Sequence, residues 1–330
     1  MPWFLQMPIK IPNDLPARAD LEGEGLVVMS ESDAIRQDIR PMKVALLNLM
    51  PRKETTETQI ARLIGSTPLQ VELTLITTSS YTPTNVSRAH MRDFYRSWDT
   101  VSKEKFDAFV VTGAPIEKLP FEDVYYWKEL TEIFDWTQTN VTQTLNLCWG
   151  AQAALYYFHA VPKHLLDKKL FGVFPHQIRM PNSPLLRGFT EAFPVPVSRH
   201  TEVRYEDIAH IEGLSVLADS EEAGLCLLED TERRHIHMFN HLEYDAWTLG
   251  DEYWRDKNQG LEIEPPANYY PDGDPAQEPV NRWRAHGHLF IANWINHVYQ
   301  TTPFDVEKIG EALSGPSEEQ QIKRSVAQAS

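Results

Sequence analysis

Short apolar runs alternate with segments of helical periodicity along the first half of the chain, and this alternation constrains the fold most strongly. Residues 44–50 are a short apolar run stopped by Pro51, which is typical of a buried strand, and further strands are predicted over residues 71–76, 106–111 and 141–147. Helical patterns occupy residues 55–63, 125–136 and 151–158. Strands that alternate with helices pair in parallel, with helices on both faces of the sheet. The predicted fold class is therefore α/β.

The rest of the chain suggests one domain with extensions. Further β-like runs lie between residues 170 and 228, a short strand is predicted over 236–239, and helices over 243–255 and around 294–299. Residues 1–40 are predicted to form an irregular arm packed on the domain. Residues 41–313 are predicted to form a single α/β domain, since no repeat or linker divides them. Residues 314–330 are polar, so a disordered tail is predicted.

The charge balance excludes several functions. The chain has 31 lysine and arginine residues against 47 aspartate and glutamate residues, which gives a formal net charge of −16. Nucleic acids and anionic membranes require a basic surface, so we expect neither as a partner. The sequence contains no membrane-spanning apolar run and no signal-peptide pattern, and two cysteines cannot form a disulfide framework. We therefore expect a cytoplasmic protein that starts at Met1 or Met7.

Cys148 lies where a predicted strand meets a predicted helix. Backbone N–H groups and the N-terminus of a helix favour a thiolate at such a junction, and they can bind an oxyanion. Gly150 allows the chain to turn sharply there, because it has no Cβ to clash. The alternative interpretation is a small buried apolar residue, which is what most free cysteines are. The position between strand and helix favours a nucleophile.

A cysteine nucleophile needs a base, and the densest group of histidines offers one. A histidine whose second ring nitrogen is held by a carboxylate is the arrangement of a catalytic triad, and His241 with Glu243 can supply both groups. His235 and His237 are predicted to lie on one face of a strand, exposed to solvent. A metal site of these three histidines is the alternative, but no cysteine or carboxylate at ligand spacing completes it, so we expect no metal.

These motifs resemble known families. Residues 146–152 are similar to the nucleophile elbow of class I glutamine amidotransferases, with Asn146 in place of the first glycine. Residues 241–243 resemble their His-Pro-Glu motif, with Leu242 in place of proline. Other segments resemble the homoserine O-acyltransferases of methionine biosynthesis: residues 7–12, 39–41, 47–51, 111–115, 243–245 and 283–287. The resemblance implies a flavodoxin-like, class I glutamine amidotransferase-like fold, with a mostly parallel sheet flanked by helices, and a homodimer.

The same resemblance implies a ping-pong acyl transfer from an acyl-CoA to L-homoserine, with no cofactor. Cys148 would carry the acyl group as a thioester, His241 would act as the general base, and Glu243 would orient His241. The backbone N–H of Trp149 would bind the oxyanion. The positions that match the amino-acid site of the family are Lys169, Ser198 and Arg255. Of these, Arg255 can bind an α-carboxylate through two parallel hydrogen bonds from its guanidinium.

Glu117 favours acetyl-CoA as the donor. In the family that the chain resembles, glycine at this position goes with succinyl-CoA and glutamate with acetyl-CoA. A carboxylate there would fill volume and repel the carboxylate of a succinyl group. We therefore expect a homoserine O-acetyltransferase. Lys118 could pair with Glu117 or with succinate, so succinyl-CoA remains the alternative donor.

Other positions leave alternatives open. Arg52 and Lys53 follow the first strand, at the edge where ligands of open α/β sheets bind, and are candidates for the phosphates of CoA. A solvated basic pair is the competing interpretation. Asn240 and Leu242 stand where the family has glycine and proline, so L-serine is an alternative acceptor. A glutamine-hydrolysing amidotransferase and a non-catalytic binding protein are the alternative functions. The first would need a synthetase partner, and the second has no use for an intact triad.

Overall fold

The computed structural model describes residues 9–12, 14–23, 28–29, 40–80 and 85–310. The strands in this part of the chain are β1 (Ile9–Lys10), β2 (Val28–Met29), β3 (Met42–Leu47), β4 (Val71–Thr77), β5 (Tyr95–Ser97), β6 (Phe106–Val111), β7 (Val141–Leu147), β8 (His164–Ile178), β9 (Ala192–Glu202), β10 (Leu214–Ser220), β11 (Gly224–Asp230) and β12 (His235–Met238). They form one sheet in the order β2-β1-β4-β3-β6-β7-β12-β11-β10-β8-β9, with β5 beside β4.

Helices cover the sheet and fill the connections. The α-helices are α1 (Ala17–Gly23), α2 (Lys53–Gly65), α3 (Arg88–Phe94), α4 (Trp98–Val101), α5 (Trp127–Asn140), α6 (Trp149–His159), α7 (Tyr205–Ile208), α8 (Thr248–Asn258) and α9 (Arg284–Thr301). Short 3₁₀ helices occupy Phe121–Asp123, Pro184–Leu186, Pro271–Gly273 and Val306–Lys308. None of the helices in the described residues is long and apolar enough to cross a membrane.

The central strands β3, β6, β7 and β12 run parallel, and each is buried on both faces. Along β6 successive side chains alternate between two cores. Val110 packs in the core that includes Ile60 of α2 and Phe290 of α9. Phe109 packs on the opposite face, in the core that includes Phe134 of α5. This two-sided burial explains why β3 and β6 are mainly apolar along their length rather than alternating. The predicted α/β class with a mostly parallel central sheet is confirmed.

The antiparallel half of the sheet is longer than the sequence suggests. The expected short β-like runs between residues 170 and 228 include a hairpin of two long strands, β8 and β9, paired from His164 with Glu202 to Gln177 with Ala192. The predicted helix over residues 243–255 begins only at Thr248, since the preceding residues form turns. The described part of the arm packs on the domain, with Ile11 and Leu21 buried in the core beside α2 and α9. Residues 314–330 lie outside the described residues.

Candidate active site

The carboxyl ends of the parallel strands bring distant segments together. The register aligns Leu47 of β3 with Val111 of β6, Val111 with Asn146 of β7, and Asn146 with His237 of β12. The residues that follow each of these strands therefore meet at one edge of the sheet. This is the edge where open α/β sheets bind their ligands.

Cys148 occupies a strained turn between β7 and α6. Its φ is 50° and its ψ is −118°, a backbone conformation that residues other than glycine rarely adopt. Gly150 permits the turn, because a Cβ there would lie 2.7 Å from the carbonyl oxygen of Thr112. Gly113 permits close approach from the other side, since its Cβ would lie 3.0 Å from the Cβ of Cys148. The tight turn therefore fixes the thiol at the strand-to-helix junction.

The backbone N–H of Trp149 is the first amide of α6. The first amides of an α-helix have no acceptor within the helix, and the helix dipole adds positive potential at this end. The indole of Trp149 is fully buried against Phe121 and Tyr126, which fixes the start of the helix. A negative oxygen formed on a group bound to Cys148 can therefore accept a hydrogen bond from this amide.

His241 is held as a base beside the thiol. Its Nδ1 lies 2.7 Å from Oε1 of Glu243, and the ring also forms a hydrogen bond with the side chain of Cys148. Because Nδ1 donates its hydrogen bond to Glu243, Nε2 is the nitrogen left to interact with the thiol. The ring stacks on Tyr244 at 4.1 Å, and the backbone N–H of His241 donates to the carbonyl of Pro196 at 2.9 Å.

The electrostatics of His241 favour its protonated form. Burial of the ring lowers the pKa of His241, but the negative charges of Glu243 and of a Cys148 thiolate outweigh this and raise it well above the ordinary value. The arrangement therefore stabilises the imidazolium form of His241 beside the side chain of Cys148. A histidine next to a thiol in this way is the arrangement in which a cysteine can be activated as a nucleophile.

Lys169, Ser198 and Arg255 meet around a residue that the sequence analysis did not single out, Glu252. Its carboxylate accepts hydrogen bonds from Lys169 Nζ at 2.6 Å and from Ser198 Oγ at 3.0 Å. Arg255 Nη2 lies 3.8 Å from the same carboxylate and 2.6 Å from Asp256. The available signal was the three-residue spacing of Glu252 and Arg255, which places both on one helical face.

Glu117 lies at the edge of this group. Its Oε2 is 3.4 Å from the hydroxyl of Thr201, and its other hydrogen-bond partner is the backbone of His200. Burial raises the pKa of Glu117, and the positive charges of Lys169 and His241 act against this. Lys118 is exposed, and no ion pair among the described residues joins it to Glu117.

Comparison with known proteins agrees with this geometry. Residues 8–304 match the family described as homoserine O-succinyltransferase. The chain belongs to this family. It is 55% identical to a homoserine O-acetyltransferase of Hyphomonas neptunium and 56% identical to one of Brucella canis, each over 305 residues that cover 92% of this chain and all of the relative. The family is described by succinyl transfer and these relatives are named for acetyl transfer, so the family description by itself leaves the donor open.

A solved glutamine amidotransferase from Thermotoga maritima has the same fold. The two structures superpose with a TM-score of 0.54 at 10% sequence identity, over 79% of this chain and 99% of that one. At this identity the likeness shows the fold alone. The expected class I glutamine amidotransferase-like fold and the expected homoserine acyltransferase family are both confirmed.

Asn240 anchors the backbone that precedes His241. Asn240 is fully buried; its Oδ1 accepts from Arg199 Nη1 at 2.9 Å, and its amide nitrogen lies 2.8 Å from His176 Nε2. Because Asn240 directly precedes His241, these bonds fix the backbone that carries the base. Leu242, in place of proline, is buried in the core.

The structure places Lys53 differently from the expectation that it contacts phosphate. Its side chain is only 3% exposed, and its ammonium donates to the backbone carbonyl of Asn48. Burial lowers the pKa of Lys53 to about 8, against the opposing charge of Glu57. Lys53 therefore closes the turn after β3, and only the neighbouring Arg52 is exposed to solvent.

His235 and His237 are not exposed, so that prediction was wrong. Both are 1% exposed, because α5 and α6 cover this face of β12. His235 packs on Phe158, and its ring nitrogens lie 3.0 Å from the hydroxyl of Thr137 and 3.2 Å from the amide of Asn146. In the part of the chain that the structure describes, no group of three histidine, cysteine or acidic residues is arranged to hold a metal ion.

Proposed function

We propose that the protein transfers an acetyl group from acetyl-CoA to the side-chain hydroxyl of L-homoserine. The observation that carries the proposal is that the Cys148–His241–Glu243 group and the polar group around Glu252 share two neighbours. Glu117 interacts with both Lys169 and His241, and Tyr244 with both Glu252 and Cys148. The family membership supports the same chemistry. Acetyl-CoA is a co-substrate that is consumed, and we propose that no cofactor is needed.

The first half-reaction would load the enzyme. His241 accepts the thiol proton of Cys148 through Nε2, while Glu243 keeps Nδ1 protonated. The sulfur attacks the thioester carbon, and the N–H of Trp149 stabilises the oxyanion. When the intermediate collapses, the carbon–sulfur bond to CoA breaks and the CoA sulfur receives the proton from His241. An acetyl group then remains on Cys148.

The second half-reaction would transfer the acetyl group to homoserine and regenerate the free thiol of Cys148. His241 removes the proton of the homoserine hydroxyl, whose oxygen attacks the acetyl carbon on Cys148. The bond to sulfur breaks, and the protonated His241 gives its proton back to the thiolate. His241 therefore takes up and releases a proton in each half-reaction. The neighbouring carboxylate, which raises the pKa of His241, stabilises the protonated form that each half-reaction passes through.

The acceptor site is suited to an α-amino acid. The guanidinium of Arg255 is 48% exposed and can bind an α-carboxylate through two hydrogen bonds. Glu252 can accept from the α-ammonium, while Lys169 and Ser198 hold its carboxylate in place. L-Serine is one methylene shorter than L-homoserine, and a methylene is worth about 1–3 kcal/mol of discrimination in an enzyme site. We therefore expect homoserine to be the better acceptor.

Release of CoA by the purified protein tests the proposal. We expect acceptor-dependent release from acetyl-CoA with L-homoserine, slower release with L-serine or succinyl-CoA, and an acetyl adduct on Cys148 detectable by mass spectrometry. Release that is faster from succinyl-CoA would overturn the choice of donor. Hydrolysis of glutamine without CoA release would instead support the amidotransferase alternative.

Two further properties are proposed from the resemblance to homoserine O-acyltransferases. We propose a homodimer, which sedimentation equilibrium would confirm by a mass of twice that of the 330-residue chain. We also propose that the protein acts in the cytoplasm, where acetyl-CoA is available. Cell fractionation that places the protein outside the cytoplasm would contradict this.

A further inference from the structure

The hydroxyl of Thr201 lies between Glu117 and a second polar side chain, Gln152. Oγ1 of Thr201 is 3.0 Å from Oε1 of Gln152 and 3.4 Å from Oε2 of Glu117. Thr201 is on β9, and Gln152 is on α6, one helical turn after Cys148. Both Thr201 and Gln152 are buried. The contact between Thr201 and Gln152 is therefore shielded from bulk water, and Glu117 at the end of the row is partly buried.

The orientation of the Gln152 amide follows from its other contact. Nε2 of Gln152 donates to the backbone carbonyl of Thr201 at 3.3 Å. A backbone carbonyl only accepts hydrogen bonds, so the NH₂ group must face it and Oε1 must face the Thr201 hydroxyl. A threonine hydroxyl has a single proton, which is consequently given to Gln152 Oε1.

The Thr201 oxygen then presents a lone pair to Glu117. An ionised Glu117 would also present a lone pair, and the contact would be repulsive. A protonated Glu117 instead donates its O–H to Thr201 and keeps an acceptor for the backbone of His200, its other polar neighbour. A carboxylic acid has one donor and one acceptor on these two oxygens, and this is the pattern that its neighbours require.

We propose that Thr201 and Gln152 hold Glu117 as a neutral carboxylic acid, and that this neutral group selects the acyl donor. The second clause rests on the proposed acetyl transfer. Neutral Glu117 excludes a succinyl group by its volume, and it offers no positive charge to the succinyl carboxylate. On ionisation, like-charge repulsion is added to the exclusion by volume.

The charges around Glu117 are engaged elsewhere. Lys169 is bound to Glu252 at 2.6 Å, and His241 to Glu243 at 2.7 Å. Lys163 donates to the carbonyl of Leu119 and lies 4.1 Å above the ring of Phe121. Arg199 is bound to Asn240 and to backbone carbonyls. The remaining nearby groups are the exposed Lys118, the phenol of Tyr244 and the imidazole of His200. Among the described residues no ion pair includes Glu117, and its burial also raises its pKa.

An infrared difference spectrum between the wild type and Glu117→Gln reads the protonation state without relying on activity. We expect the C=O band of a carboxylic acid to persist at about pH 6, where an ordinary glutamate is ionised. Thr201→Val removes the acceptor and should shift the midpoint of this band to lower pH, whereas Thr201→Ser, which keeps the hydroxyl, should restore it. A spectrum with carboxylate bands alone at about pH 6 would overturn the proposal.

Donor selectivity tests the functional half of the proposal. For the wild type, the ratio of kcat/KM for acetyl-CoA to that for succinyl-CoA should rise with pH as Glu117 ionises. In Glu117→Gln the preference for acetyl should persist, but the ratio should no longer vary with pH, because the amide is neutral throughout. Glu117→Gly removes the side chain and gives the ratio expected without selection at this position. Lys118→Gln should show the same ratio, and the same pH dependence of the ratio, as the wild type.

The outcomes separate the two proposals. If Glu117→Gln falls to the selectivity of Glu117→Gly, an ionised carboxylate is the selective group and the inference is wrong. If no acceptor releases CoA from either donor, acetyl transfer itself is wrong, while the infrared band still decides whether Glu117 is neutral.

Discussion

The backbone N–H of Cys148 donates a 2.7 Å hydrogen bond to the carbonyl of Met238, and this bond ties the nucleophile to the strand that delivers the base. Cys148 directly follows β7 and Met238 ends β12, and the two strands lie parallel and adjacent. His241 follows three residues after Met238, and its own N–H is bound to Pro196 of β9. The triad is therefore assembled on sheet hydrogen bonds, which hold catalytic groups more rigidly than loops do.

The strain at Cys148 predicts a trade of stability against activity. Cys148→Gly should abolish acyl transfer yet raise the free energy of unfolding by about 1 kcal/mol or more relative to Cys148→Ala, because glycine adopts a φ of 50° without strain. Urea denaturation of the two inactive variants measures this difference. Equal midpoints would mean that the turn is not strained.

Glu243→Gln should lower kcat by about 100-fold or more, because the amide no longer stabilises the imidazolium of His241. Steady-state kinetics measure the effect. An exposed acidic residue far from the site, Glu132 on α5, gives the matched control, Glu132→Gln, which should behave as the wild type. A kcat within a few-fold of the wild type would contradict the role of Glu243.

The raised pKa of His241 predicts how stability varies with pH. Because the folded pKa of His241 lies above its unfolded value, this stabilisation is complete below about pH 6.5 and is lost as pH rises through the folded pKa. The Tm of the wild type should therefore fall between about pH 6 and pH 9 by more than the Tm of His241→Gln. Parallel curves for the two proteins in thermal denaturation would contradict the shift.

Arg255→Lys should weaken acceptor binding without affecting the donor. A lysine keeps the charge but cannot form two parallel hydrogen bonds with a carboxylate, so KM for L-homoserine should rise by about 10-fold or more while KM for acetyl-CoA stays the same. Lys257→Ala changes a cation two positions along the same helix, which contacts Tyr253 instead, and should leave both constants unchanged. Equal increases in both KM values would argue for a general structural defect.

Gly150→Ala should destabilise the fold. The added Cβ would lie 2.7 Å from the carbonyl oxygen of Thr112, so α6 or the end of β6 must shift, at a cost of about 1–3 kcal/mol. Gly23→Ala is the matched control, since nothing lies within 4 Å of its Cβ. Chemical denaturation should separate the two variants, and equal stabilities would contradict the close packing at the elbow.

Several features of the site were accessible to local reasoning. A strand-to-helix junction with Cys148 and Gly150 requires a sharp turn whatever the rest of the fold does. His241 and Glu243 are two residues apart, so their contact needs only a local turn. The sequence-based expectation of an α/β sheet rested on the same kind of local pattern, the apolar runs of β3 and β6 and the helical segments between the strands.

Contacts between distant segments decided the rest. His235 and His237 follow a pattern that also fits an exposed strand, and only the packing of α5 and α6 buries them. The partners of Glu252 are contributed by β8 and β9, 83 and 54 residues away in the chain.

The sequence by itself determined the alternation of strands and helices, the elbow at Cys148 and the pairing of His241 with Glu243, because these depend on propensity and spacing within a few residues. Only the tertiary structure decided which polar side chains share a partner. The row from Gln152 through Thr201 to Glu117 joins α6, β9 and the loop after β6, and no local pattern predicts it. Its physical basis is the contact of one threonine hydroxyl with polar groups on two other segments, which exists only once the three segments are packed together.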